Sequence, residues 1–195
     1  MMFMFSNYLQ KFEQVVRSIE CCEGQQVTNL NYLINKIIAL LAICKGCGNK
    51  MMWIGNGGSA TIASHGAIDY WRTAEIRSIC FNDGALLSCI SNDFGYASVF
   101  EKPIELFADP GDVLVAISSS GQSENIINGV RAAREKGCAI ISLSGFLPDN
   151  PLRRLGDYNF YAPSSQYGYV ELAHGLLCHS FLDLYMNQSN GEPIW

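Results

Sequence analysis

Three histidines and a few well-spaced carboxylates carry most of the acid–base potential of this chain. His65 and Asp69 stand four apart in a stretch with helical spacing, so their side chains share one helix face. Glu171 and His174 are three apart in a later helical stretch. Glu171 and His179 differ by eight positions, about 80° around a helix axis, so these two can also look the same way. If the two helices meet, His65, Asp69, Glu171 and His179 form a cluster of two imidazoles and two carboxylates. Nitrogen and oxygen ligands in that mix suit Zn²⁺ or another borderline divalent ion. The same groups could serve as a general acid and base. A His/Asp pair four apart is also a common surface contact of helices, and a histidine late in an apolar helix is commonly a core or interface residue.

A second kind of chemistry is written in two loops, Gly55-Asn56-Gly57-Gly58-Ser59 and Ser118-Ser119-Ser120-Gly121-Gln122-Ser123. Each follows a short apolar run that reads as a buried strand, Met51–Ile54 and Val113–Ile117, and each precedes a helical stretch. Such a joint aims backbone N–H groups and the positive end of a helix dipole at one spot. Serine hydroxyls add neutral donors, and glycine lets a ligand approach the backbone closely. Two such joints imply a pocket for a phosphorylated small molecule. Neither loop contains Lys or Arg, so dipoles and hydroxyls would hold the phosphate. Gly55-x-Gly57-x-x-Ala60 also fits the loose dinucleotide fingerprint, with Asp83 after the next strand, but that reading leaves the second serine loop unexplained.

These loops need a scaffold. Strand-like runs fall near 50–54, 78–81, 112–117, 138–143 and 157–161. Helical stretches lie at 59–74, 84–91, 97–107, 123–136 and 168–187. Alternation of this kind indicates an α/β domain with a mostly parallel sheet covered on both faces. Before the first strand, residues 4–22 and 26–45 carry apolar stripes at helical spacing, Phe5-Leu9-Phe12-Val15-Val16-Ile19 and Leu30-Leu33-Ile34-Ile37-Ile38-Leu41. Two amphipathic helices there suit packing against another subunit or against their own domain.

With 195 residues and 49% hydrophobic content, the chain supports one well-buried domain. It reads as a helical segment over 1–48, a core over 49–187 and an extended tail over 188–195. A net charge of −5 argues against a general nucleic-acid binder. The longest apolar run near the start, Ile37–Cys44, is too short to span a bilayer. No basic leader or cleavage site precedes it, so a cytoplasmic location is expected. The eight cysteines read as reduced thiols, with Cys80, Cys89 and Cys138 acting as small buried hydrophobes. Cys44-Lys45-Gly46-Cys47 lacks both the second pair of a zinc site and the setting of a redox motif.

Together, Gly55–Ser59, Ser91-Asn92-Asp93-Phe94-Gly95 and the run from Gly111 to Ser123 resemble the sugar isomerase (SIS) domain. The serine loop is common to SIS domains. The Asn-Asp-Phe-Gly stretch and the His/carboxylate spacing are most similar to the bacterial sedoheptulose 7-phosphate (phosphoheptose) isomerases, over residues 5 to 187. The resemblance implies a three-layer α/β/α fold with a five-stranded parallel, flavodoxin-like sheet. It also implies N-terminal helices that help build a homotetramer, with active sites between subunits. Substrate contacts are implied at Asn56, Gly57, Gly58, Ser59, Asn92, Asp93, Ser118, Ser119, Ser120 and Ser123, and also at Asp69 and Glu171. The implied metal ligands are His65, Asp69, Glu171 and His179, with Zn²⁺ the expected ion. Asp69 stands where the family has Glu, one methylene longer, and Glu171 stands where it has Gln, which makes the site more anionic.

The implied reaction converts a 2-ketose into an aldose through a cis-enediol, in the making of heptose for lipopolysaccharide or capsule. Asp69 and His179 are the expected acid–base pair, with the phosphate anchored at 118–123. The alternative is a non-catalytic SIS module that binds a sugar phosphate or a protein partner as a regulator. Arabinose 5-phosphate isomerases share the SIS core, but a chain of 195 residues leaves no room for their appended regulatory domains.

Overall fold

The computed structural model describes residues 4–191. Its centre is a run of five parallel strands: β3 (Lys50–Gly55), β4 (Arg77–Cys80), β5 (Val113–Ser118), β6 (Ala139–Ser144) and β7 (Tyr158–Tyr161). Their apolar content is nearly continuous because both faces are covered. In β3, Met51 and Trp53 join one core while Met52 and Ile54 join the other. In β5, Val113, Val115 and Ile117 go one way, Leu114 and Ala116 the other. The first core is closed by α2 (Leu30–Gly46), α3 (Gly58–Ala74) and α7 (Tyr167–Asn190), with α1 (Met4–Arg17) outside them. The second is closed by α5 (Glu101–Phe107) and α6 (Glu124–Glu135), flanked by α4 (Gly84–Phe94). The result is the expected three-layer α/β/α arrangement.

Among the described residues the sheet has seven strands, with β1 (Glu20–Glu23) and β2 (Gln26–Thr28) added to the five, in the order β2-β1-β7-β6-β5-β3-β4. The two extra strands take residues from both expected N-terminal helices: β2 replaces the start of the one over 26–45, and β1 the end of the one over 4–22. That helix stops at Arg17, and Glu20–Glu23 forms β1, which turns at Gly24 into β2 (Gln26–Thr28). Gly24 sits at φ 58°, the left-handed region that glycine enters without strain. Strand β1 pairs antiparallel with β7, Cys21 opposite Phe160, and so covers an edge that would otherwise stay open. Pairing to that edge satisfies backbone groups that a helical turn would have satisfied internally, and it outweighs the helical spacing of the stripe. The stripe splits accordingly. Phe5 and Leu9 are exposed, whereas Phe12, Val15 and Val16 pack on the core. The second helix starts only at Leu30, where the Asn29 side chain accepts from the Asn31 and Tyr32 N–H groups at 2.9 and 3.4 Å.

Smaller differences bear on the site. Helix α4 continues to Phe94, so Asn92 and Asp93 lie on its last turn. The expected helix over 97–107 is a short turn at Tyr96–Ser98 followed by α5. The last helix continues through Asn190, into what reads from sequence as an extended tail; residues 192–195 of that tail lie outside the described residues. All eight cysteines are free. Cys138 is buried as expected, but Cys80, at the end of edge strand β4, is half-buried, and Cys89 is exposed because α4 buries no residue fully. Among the described residues, no helix is long and apolar enough to cross a membrane.

Candidate active site

Strands β3 and β5 are parallel neighbours, with Gly55 opposite Ile117, so the two loops leave the same edge of the sheet side by side. Open α/β sheets place ligand crevices at this carboxyl edge. The loops line one cavity of about 290 Å³, walled by Asn56–Ser59, Ser118–Ser120, Ser123, Tyr167 and Glu171. Helices α3, α6 and α7 all begin here, and no Lys or Arg lines the cavity. Gly57 makes the turn with φ 54° and ψ −124°, which a side chain would strain.

The serine loop is held internally. Ser118 Oγ accepts from the Gly121 N–H at 3.1 Å and lies 3.3 Å from Ser123 Oγ. Ser120 Oγ accepts from the Gln122 N–H at 3.2 Å. The buried Ser119 hydroxyl has no protein partner among the described residues, a free donor in a loop shaped for an anion.

The two loops are also tied to each other. Asn56 and Asn125 exchange side-chain amide hydrogen bonds, 2.9 Å in each direction, and the Tyr96 hydroxyl donates to Asn56 Oδ1 at 3.0 Å. Asn92 and Asp93, expected in the site, are absent from the cavity wall; Asn92 Nδ2 donates to Asp93 Oδ1 at 2.8 Å on the exposed end of α4. It is Tyr96, just beyond that stretch, that joins it to the loops. Asn125, Tyr96 and Tyr167 were not legible as site residues. The available signal for Asn125 was its position two residues past Ser123, on the first turn of a helix that opens at the serine loop.

Further along the α3/α7 seam lies a second cavity, of about 190 Å³, lined by His65, Asp69, His179 and mostly apolar neighbours, among them Ile62 and Leu182. Asp69 is largely buried, and its Oδ2 lies 3.1 Å from His65 Nε2 and 3.7 Å from His179 Nδ1. Both imidazoles are more than half exposed, with ring centroids 5.4 Å apart. One ligand atom from each of the three residues falls within 4.8 Å of the others. Two nitrogens and one carboxylate oxygen are a donor set that fits a borderline divalent ion.

Glu171 is not part of that cluster. Eight residues bring a helical side chain back to a similar direction but also carry it about 12 Å along the axis. The shared direction is therefore outweighed by the rise, and Glu171 stands at the serine cavity instead. His174, between them, faces inward. It is fully buried, with Nε2 3.1 Å from the Ser144 carbonyl oxygen, and burial pushes its pKa down to about 4 despite that contact. It is a neutral core residue.

Comparison with known proteins accords with this architecture. A family model for the SIS domain matches residues 8–145. The phosphoheptose isomerase of Syntrophotalea carbinolica is 34% identical over 90% of this chain and 91% of its own length. That of Geotalea daltonii is 32% identical over 94% and 95%. The solved structure of the phosphoheptose isomerase from Neisseria gonorrhoeae superimposes with a TM-score of 0.80 at 27% identity, over 93% of this chain and 97% of that one. With this extent of matching, on a fold that sets a serine-lined cavity beside a His/Asp/His cluster, the chain belongs to the phosphoheptose isomerase family of SIS-domain enzymes.

Proposed function

We propose that this protein is an aldose–ketose isomerase acting on a seven-carbon phosphosugar, converting sedoheptulose 7-phosphate to D-glycero-D-manno-heptose 7-phosphate through a cis-enediol. The observation that carries the reading is the cavity built from Ser118–Ser120, Ser123 and the Asn56–Ser59 loop, where three helices begin and no cation is needed. The phosphate binds there, and the fixed remote end orients the reacting carbons.

Asp69 and His179 move the protons. One takes a proton from C1 of the ketose and the proton is returned to C2, while the other passes a proton between the two oxygens. Asp69 stands between the two imidazoles, 3.1 Å from His65 Nε2 and 3.7 Å from His179 Nδ1. A divalent ion, Zn²⁺ in this reading, would be held by His65, Asp69 and His179 and would polarise the substrate carbonyl. Active sites shared between copies of a homo-oligomer, a tetramer in this reading, accord with half-exposed Ile68, Trp71, Leu172 and Leu176 on α3 and α7 and with the bare Phe5 and Leu9 of α1. The 1–48 segment would serve that assembly, in the cytoplasm.

The test is proton NMR of the purified protein with Zn²⁺ and sedoheptulose 7-phosphate. Growth of the anomeric signals of an aldose 7-phosphate is expected. A spectrum unchanged over hours at micromolar enzyme would refute the assignment.

A further inference from the structure

Glu171 is the one charged side chain among the residues lining the serine cavity. Both of its carboxylate oxygens lie so close over Gly58 that a Cβ there would force the carboxylate to move aside. Gly58 opens α3, whose N-terminus has no side-chain cap. The first N–H groups of a helix have no partner within it, and the dipole there favours negative charge. Glu171 therefore places a carboxylate where an anion is attracted.

We propose that Glu171 is a built-in anion that occupies the α3 end of the cavity and makes it select phosphate carried on a hydroxylated chain over free inorganic phosphate. The proposal rests on the phosphosugar reading of the cavity. Two loops with open helix N-termini would make two anion seats, and a cell's free phosphate could fill either. With Glu171 over Gly58, one seat is taken and the serine loop at the start of α6 is the seat left for the substrate. An ionised carboxylate only accepts hydrogen bonds. It repels a second anion in the same small cavity but accepts from sugar hydroxyls, in charge-assisted bonds stronger than neutral ones. A phosphosugar offsets the repulsion through its hydroxyls, and bare phosphate has no such chain to offer. The glutamine expected from the family resemblance would accept those hydroxyls too, without the repulsion.

Calorimetric titration of the wild type, Glu171→Gln and Glu171→Ala with inorganic phosphate and with sedoheptulose 7-phosphate tests this, with folding checked by circular dichroism. The wild type is expected to prefer the phosphosugar strongly. Loss of the charge should tighten inorganic phosphate by roughly tenfold in both variants. Phosphosugar affinity should stay level in Glu171→Gln and fall in Glu171→Ala, so the preference shrinks at least tenfold. Unchanged phosphate affinity in both folded variants would overturn the proposal while leaving the phosphosugar reading intact. A wild type that binds neither compound would instead overturn that reading, and this proposal with it.

Discussion

Asn56 and Asn125 face each other amide to amide, each donating to the other's oxygen at 2.9 Å between the glycine loop and the first turn of α6. Asn125 is almost wholly buried, so the pair acts as a fixed strut and not a surface contact. The Tyr96 hydroxyl completes it from a third segment. Three stretches distant in sequence are thereby joined at one side chain of the cavity wall.

Replacing Asn125 with Ala removes both bonds and leaves the Asn56 amide to reorient, at a cost of about 1–3 kcal/mol. Because the proposed acid–base pair, Asp69 and His179, lines the other cavity, KM for the phosphosugar should rise about tenfold while kcat changes by only a few-fold. Steady-state kinetics with a thermal melt separate the two effects. An unchanged KM in a folded variant would contradict the strut.

How much of this was legible beforehand varies with the physics. The strand–loop–helix joints could be read from Gly55–Ser59 and Ser118–Ser123, because dipole, turn and hydroxyl chemistry are all local. The pairing of His65 with Asp69 was likewise local, whereas the meeting of α3 with α7, on which His179 depends, stood only as a condition. What sequence did not reveal was non-local. Strand β1 exists because β7 offered an edge, and Glu171 parted from His179 because axial rise, not angle, set its level. Asn125 looked like any helix-opening residue until its partner 69 positions away was known.

Metal content offers an independent check. The wild type, stripped with chelator and reloaded with Zn²⁺, is expected to retain one ion per His65–Asp69–His179 cluster after dialysis. His65→Ala and His179→Ala each remove one of three donors and should lose affinity by roughly a hundredfold, read by elemental analysis. Equal retention in both variants would place the ion elsewhere.

At the opposite edge of the sheet, Asp112 holds the start of β3 and β5 together. Its carboxylate accepts from the Lys50 N–H at 2.9 Å and the Asp109 N–H at 2.8 Å, and it pairs with the Lys50 ammonium. Burial alone would raise its pKa, but the hydrogen bonds from Lys50 and Asp109 outweigh that and hold it below the usual value. Its stabilising effect is therefore present above the ordinary carboxylate pKa and is lost as pH falls through the depressed one. Asp112→Ala leaves the Lys50 ammonium with Asp109 alone and removes the acceptor of the Lys50 and Asp109 N–H groups, so it should cost about 1.5–3 kcal/mol in urea denaturation at pH 7, with the gap narrowing in strong acid. A loss below 1 kcal/mol at pH 7 would show the contact to be idle.

His174 makes a separate prediction about acid. Its pKa is about 4 in the folded protein, against an ordinary value of 6.5. The unfolded chain thus takes up a proton that the native state refuses, and stability declines as pH falls from 6.5 towards 4. The decline should reach about 3 kcal/mol from this residue. His174→Gln keeps a donor for the Ser144 carbonyl and should flatten that part of the pH–stability curve. A curve of unaltered slope would mean that another group dominates.

The central claim, that Asp69 and His179 shuttle a carbon-bound proton of a phosphosugar, is tested most directly by isotope exchange in D₂O. Wild-type protein with sedoheptulose 7-phosphate should introduce deuterium at C1 of recovered ketose or at C2 of the aldose product, as proton NMR and mass spectrometry can read. Asp69→Ala and His179→Ala should each cut that exchange about 10²- to 10⁴-fold while the melting temperature stays nearly unchanged. Exchange at wild-type rates in both variants would contradict the account.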